Sequence, residues 1–68
     1  MPERLVNRIK ERRTELGLTQ AELAEQVGVT RKTVNTVENG VFTPSATLAI
    51  KLAAALGFSV EQLFWIEN

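Results

Sequence analysis

Each of the four glycines in this 68-residue chain is followed closely by a threonine or a serine: Gly17 by Thr19, Gly28 by Thr30, Gly40 by Ser45 and Gly57 by Ser59. A glycine just past a helix accepts the left-handed backbone that closes its last turn. A Thr or Ser just before a helix offers an oxygen to the amides its first turn leaves unpaired. Repeated stop-then-start signals divide the chain into five short helices. Glu22 lies three residues after Thr19 and Gln62 three after Ser59, so two of the starts are complete capping boxes.

Apolar periodicity agrees with this punctuation. Leu5, Ile9 and Leu16 recur at helical spacing in a first helix running from Glu3 toward Gly17. Leu23, Ala24 and Val27 line a second helix, and Val34 and Val37 a third that stops at Asn39-Gly40. Pro44 holds Thr43 out of the helical region, which makes Val41 to Pro44 a loop. Leu48, Ala49, Leu52, Ala53 and Leu56 face inward from a fourth helix, and Val60, Leu63 and Phe64 from a short fifth. No stretch reads as strand alternation. The expected fold is all-α, a single domain over residues 1–68.

Composition narrows the function. A domain near this size buries only about 60% of its unfolded surface, so a partner chain or a well-formed helical core has to supply stability. With neither Cys nor His, disulfides and a conventional zinc site are excluded, and no cofactor is expected. Asp and Tyr are missing as well, so acid–base or nucleophilic chemistry would fall to Glu, Lys, Ser or Thr. The Glu residues are spaced along polar helix faces, and no catalytic site is expected. No run of 18 apolar residues exists and the N-terminal stretch is dense in charge, so neither a membrane span nor a signal peptide is read. A soluble, cytoplasmic protein is expected. Eight basic and eight acidic residues leave zero net charge, but seven of the basic ones lie between Arg4 and Lys32.

The stretch Gln20 to Asn39, QAELAEQVGVTRKTVNTVEN, carries the functional reading. Two short helices meet at a tight turn, with Ala24 small at their crossing and Gly28 free to take positive φ. Leu23, Val27, Val29, Val34 and Val37 fill the wedge beneath them. A helix pair with a short glycine turn is a recurrent unit whose commonest use is DNA binding. At about 100° per residue, Arg31, Asn35, Lys32 and Thr36 fall within roughly 140° of one another on the third helix, opposite Val34 and Val37. That face holds hydrogen-bonding side chains and no carboxylate. Arg and Lys donate to guanine O6 and N7, and Asn pairs with adenine.

Leu18 to Gly40, with its LTQAELAEQVGV and VENG, and the following PSATLAIKLAAALGFSVEQLF resemble the Cro and phage-repressor type of helix-turn-helix domain, the xenobiotic-response-element class of small regulators. The resemblance covers about residues 5 to 64. It implies a five-helix lambda-repressor-like domain, a homodimer, and transcriptional control, expected to be repression, through binding to a double-stranded DNA operator. Matched position by position, it implies that Arg31, Lys32 and Thr36 reach base edges, with Asn35 and Thr33 at the margins. It implies phosphate contacts by Gln20 at the start of the second helix, where a helix N-terminus already favours anions. Thr30, Asn39 and Arg13 are further phosphate candidates. Thr30 also caps its helix, and Asn39 also reads as a helix terminator. Arg13 and Glu38 match positions that form a partly buried salt bridge in relatives.

The loop Val41-Phe42-Thr43-Pro44 departs from the pattern, since relatives commonly carry Lys or Arg there. Phe42 is read as a plug over the core. The apolar tail is more than one helical turn can bury, so Phe64, Trp65 and Ile66 are expected at a dimer contact, with Trp65 folding back on its own core as the other reading. No small-molecule effector site is evident. Two alternatives remain: an antitoxin or restriction controller using the same DNA-binding unit, and a helical interaction module without DNA binding.

Overall fold

The computed structural model describes residues 2–68, in the order β1 (Arg4–Asn7), α1 (Ile9–Glu15), α2 (Gln20–Val27), α3 (Arg31–Glu38), α4 (Ala46–Leu56), α5 (Val60–Leu63) and β2 (Phe64–Glu67). The five helices stand between the expected stops and starts. The side chains of Thr19, Thr30, Ser45 and Ser59 accept the amides of Glu22, Thr33, Leu48 and Gln62 at 3.0, 3.2, 3.1 and 3.1 Å. Both capping boxes close: the Thr19 amide donates to Glu22 Oε1 at 2.9 Å, and that of Ser59 to Gln62 Oε1 at 2.8 Å. Donation from the Thr19 backbone, and secondarily its hydroxyl, stabilises the Glu22 carboxylate and lowers its pKa from the ordinary value.

The all-α expectation needs correction, because β1 and β2 form a two-stranded antiparallel sheet. Arg4 stands opposite Glu67, Leu5 opposite Ile66, Val6 opposite Trp65 and Asn7 opposite Phe64. The first helix therefore begins at Ile9 rather than near Glu3, and Leu5 belongs to a strand. Strand alternation cannot be read from four residues, and the pairing joins opposite ends of the chain. Leu-Val and Phe-Trp-Ile are good strand formers, but each strand is stable only because the other lies beside it. Asn7 makes the junction between strand and helix. Its Oδ1 accepts the Ile9 amide at 3.0 Å, and its Nδ2 donates to the Val37 carbonyl at 3.0 Å, tying β1 to α3.

The core gathers one face from every helix. Ile9, Leu23, Val34, Val37, Leu52, Leu56 and Leu63 are fully enclosed, with Ala24, Val27, Leu48, Ala53 and Phe64 also buried. Each large apolar side chain of this kind contributes about 1.5–3 kcal/mol by leaving water. Arg12 ties α1 to the end of α4: its Nε donates to the Leu56 carbonyl at 2.8 Å while its guanidinium lies 4.7 Å from the Phe58 ring centre. Leu16, expected in the core, is exposed. The first helix ends at Glu15, so Leu16 falls on its closing turn. Among the described residues no helix is long and apolar enough to cross a membrane.

Candidate nucleic-acid interface

Three residues, Gly28 to Thr30, turn the chain from α2 into α3. Gly28 takes φ +75°, where a side chain would be strained. Its neighbour Val29 donates its amide to the Ala24 carbonyl at 3.0 Å, closing α2. Ala24 is buried at the crossing, as its small size suggested. The turn leaves Val34 and Val37 inside and Arg31, Lys32 and Asn35 exposed on α3. Among the described residues neither the Arg31 nor the Lys32 side chain has a hydrogen-bond or ion-pair partner within the protein.

Thr36 is half-buried beside these residues, its hydroxyl donating to the Thr33 carbonyl at 2.9 Å and keeping its oxygen as an acceptor. Thr33 is less available, since its hydroxyl lies 3.0 Å from that of Thr30, in a hydrogen bond where either can donate. Asn35 presents its amide outward, while its carbonyl accepts Asn39 Nδ2 at 2.9 Å. Asn39 therefore terminates α3 with its own side chain, and Oδ1 remains free to face solvent.

A shallow hollow opens where α2 begins, lined by Arg13, Leu18, Thr19, Gln20, Ala21 and Arg31 among others. The first-turn amides of Gln20 and Ala21 have no intrahelical acceptor to satisfy them. Amides, helix dipole and the Arg31 guanidinium converge there, the chemistry an oxyanion such as phosphate requires. Arg31 thus stands at the junction between this hollow and the outward face of α3.

Arg13 is placed differently from the expectation of a phosphate contact. Its Nε and Nη2 donate to the two Glu38 carboxylate oxygens at 2.7 and 3.3 Å, and Nη1 donates to the Leu18 carbonyl at 2.9 Å. The side chains of Arg13 and Glu38 are 12% and 3% exposed. Each guanidinium nitrogen makes one bond inside the protein, which gives Arg13 an orienting role between α1 and α3. Gln20 completes the lock: its Nε2 donates to Glu38 Oε1 at 3.1 Å, leaving its amide oxygen and backbone N–H outward. One carboxylate thereby joins α1, the start of α2 and the end of α3. The bond from Gln20 to Glu38 has no local signal, because the two lie 18 positions apart.

The tail also differs from expectation. Phe64 is buried in the protein's own core and is not available to a partner. Strand alternation turns Trp65 to the other face, half-buried, where the Arg8 guanidinium lies 4.6 Å from its ring centre. Ile66 remains 55% exposed. Phe42 is no plug: it is 49% exposed and lines a groove with Leu5, Val37, Pro44 and Phe64.

Two short helices joined by a three-residue turn, with a cationic and amide face on the second beside the bare N-terminus of the first, define a helix-turn-helix DNA-binding domain. The chain belongs to the helix-turn-helix family, which matches it over residues 9–63, and it is a DNA-binding transcriptional regulator of the Cro and phage-repressor type. It is 44% identical over 62 residues to the uncharacterized HTH-type transcriptional regulator YgzD of Bacillus subtilis, an alignment that covers 91% of this chain and 94% of that protein. Among solved structures it is similar to the restriction-modification controller protein C.AhdI from Aeromonas hydrophila. There the TM-score is 0.75 and the identity 37%, covering 79% of this chain and 82% of that one. It is also similar to SinR, the master regulator for biofilm formation, in complex with DNA. That TM-score is 0.70 and the identity 36%, covering 76% of this chain and 84% of the other.

Proposed function

We propose that this protein is a sequence-specific repressor that lays α3 in the major groove of double-stranded DNA. The observation that carries this reading is the outward face of α3, where Arg31, Lys32 and Asn35 stand exposed and uncommitted while the apolar face is fully buried. Lys32 and Arg31 donate to guanine, Asn35 pairs with adenine, and Thr36 contributes a shorter-range contact. The hollow at the start of α2 receives a backbone phosphate on the Gln20 and Ala21 amides, with Arg31 as its cation. Thr30 and Asn39, at the two ends of α3, face the flanking backbone. The reading includes no enzymatic step and no cofactor.

Selection of bound duplexes from a random pool gives the operator and tests the reading. Arg31→Ala and Lys32→Ala are each expected to relax preference at particular base pairs, at a cost of about 1–3 kcal/mol where the contact is bidentate. Enrichment of no duplex at low salt overturns the proposal. The likeness to C.AhdI favours a second reading, in which the regulated operon encodes a restriction-modification system. The genes beside the coding sequence decide it.

A further inference from the structure

We infer that Asn7, at the end of β1, is a positioning residue: it fixes the C-terminal end of α3, and with it the base contact of Asn35. The last carbonyls of a helix have no intrahelical amide to receive. In α3 most of them are met from nearby. The Asn35 carbonyl accepts the Asn39 amide at 3.1 Å and Asn39 Nδ2 at 2.9 Å. The Thr36 carbonyl accepts the Val41 and Phe42 amides at 2.9 and 3.2 Å. These donors follow directly on the helix and move with it. The Val37 carbonyl is different. Beside the Gly40 amide at 3.1 Å it accepts Asn7 Nδ2 at 3.0 Å, from a residue 30 positions earlier. Among the described residues this is the one hydrogen bond between the chain-end sheet and α3.

The junction requires an asparagine. One planar group accepts the Ile9 amide on Oδ1 at 3.0 Å and donates to Val37 from Nδ2. A carboxylate can only accept, and a serine hydroxyl is one bond too short to meet both partners. Asn7 is itself held in place, since it stands opposite the buried Phe64 across the sheet. The tether thus runs from the core through β2 and β1 to the backbone of α3.

The two ends of α3 are held by different means. The three-residue turn from α2 fixes the start. At the other end Arg13 and Gln20 grip the side chain of Glu38, which has rotatable bonds between its carboxylate and the helix. Asn7 grips the backbone itself. Released at Val37, the helix pivots on the turn. At about 1.5 Å per residue, Val37 stands about 9 Å along the helix from Arg31, Asn35 about 6 Å and Lys32 about 1.5 Å. A shift of about 1 Å at Val37 therefore carries Asn35 about two-thirds of that distance and Lys32 about a sixth. Hydrogen-bond lengths span only about 0.5 Å. Asn35 accordingly loses its base while Arg31 and Lys32 keep theirs. The effect on base readout rests on the DNA-binding reading, but the tether does not.

Two variants isolate the tether. Asn7→Asp keeps Oδ1 for the Ile9 amide and loses the donor to Val37. Asn7→Ser also keeps an acceptor for that amide, and it adds no charge that could repel DNA. Circular dichroism establishes that each is folded at the temperature of the assay. Anisotropy with the duplex selected by wild type, and with single base-pair changes in it, then reads preference position by position. Both variants are expected to bind at least tenfold more weakly. They should lose preference at the base pairs that Asn35→Ala relaxes and keep it at those that Arg31→Ala or Lys32→Ala relaxes. Preference unchanged everywhere, or relaxed equally everywhere, overturns the positioning role. Amide hydrogen exchange supplies a reading without DNA. The Gly40 and Val41 amides should exchange at least tenfold faster in both variants, while that of Val29, which closes α2, keeps its rate. Unchanged exchange at Gly40 and Val41 overturns the tether whatever the DNA result. Faster exchange there, in a protein whose wild type binds no duplex, upholds the tether and removes the DNA-binding reading.

Discussion

Replacing Arg13 with methionine removes the cation from a carboxylate that has almost no access to water. Glu38 is 3% exposed and receives two bonds from Arg13 and one from Gln20. Charge-assisted hydrogen bonds of this kind are worth about 1.5–3 kcal/mol each. Removing one partner of a buried pair costs about 3–5 kcal/mol, mostly because the remaining charge is left desolvated. The Leu18 carbonyl loses its donor as well. Against this, a domain of 68 residues has a total stability of roughly 3–10 kcal/mol at about 0.05–0.15 kcal/mol per residue. Arg13→Met is therefore expected to take about a third or more of the stability, seen in urea denaturation followed by circular dichroism. The corresponding fall in Tm is about 12–40 °C, at 4–8 °C per kcal/mol for a domain of this size. Glu38→Leu in the same chain removes the stranded charge and is expected to restore most of the loss, since apolar replacement of a whole buried pair is often neutral. The double variant keeps its fold but loses the lock between α1, α2 and α3, and its operator affinity is expected to stay below wild type. A loss under about 1 kcal/mol in Arg13→Met refutes the argument, because it means that the carboxylate finds water or another donor without cost. Full operator affinity in the folded double variant refutes the orienting role.

Three further outcomes follow from the same structure. Phe64→Ala empties a buried position beneath the sheet and is expected to cost about 3–5 kcal/mol by denaturation, whereas a side chain serving only a dimer contact would leave monomer stability unchanged. The Glu22 carboxyl has a pKa lowered on folding, so its contribution is present above the ordinary carboxylate value and is lost as pH falls through the folded one. Stability of wild type should consequently decline more than that of Glu22→Gln on acidification from about pH 5 downward, and parallel curves would contradict the capping box. On the proposed docking, Arg31 and Lys32 are the cations nearest the DNA backbone, beside the base edges they reach. The slope of log K against log salt is then about −2 per chain, at −0.9 for each neutralised phosphate. Anisotropy across a salt series measures it, and a slope several-fold steeper would show that phosphate contacts lie elsewhere.

Much of this protein was readable along the chain because its signals are local. Thr19, Thr30, Ser45 and Ser59 cap helices through amides three residues away, and Gly28 closes a turn by its own φ. Val34 and Val37 define the buried side of α3, and so leave Arg31, Lys32 and Asn35 outside. Those features establish the five helices, the helix-turn-helix and the composition of its outward face. What needed the tertiary structure depends on groups distant in sequence. Arg4–Asn7 and Phe64–Glu67 have no strand pattern long enough to read, and become strands only because the folded helices bring the two ends of the chain together. That pairing buries Phe64, turns Trp65 under Arg8, and leaves Ile66 uncovered. Arg13 illustrates the division most sharply. The sequence places it among the cations of α1, but only the packed structure shows its guanidinium bonded to Glu38 and to the Leu18 carbonyl, far apart from it along the chain or across a turn. Local chemistry determined which elements form, and the packing of those elements decided which side chains are left for a partner.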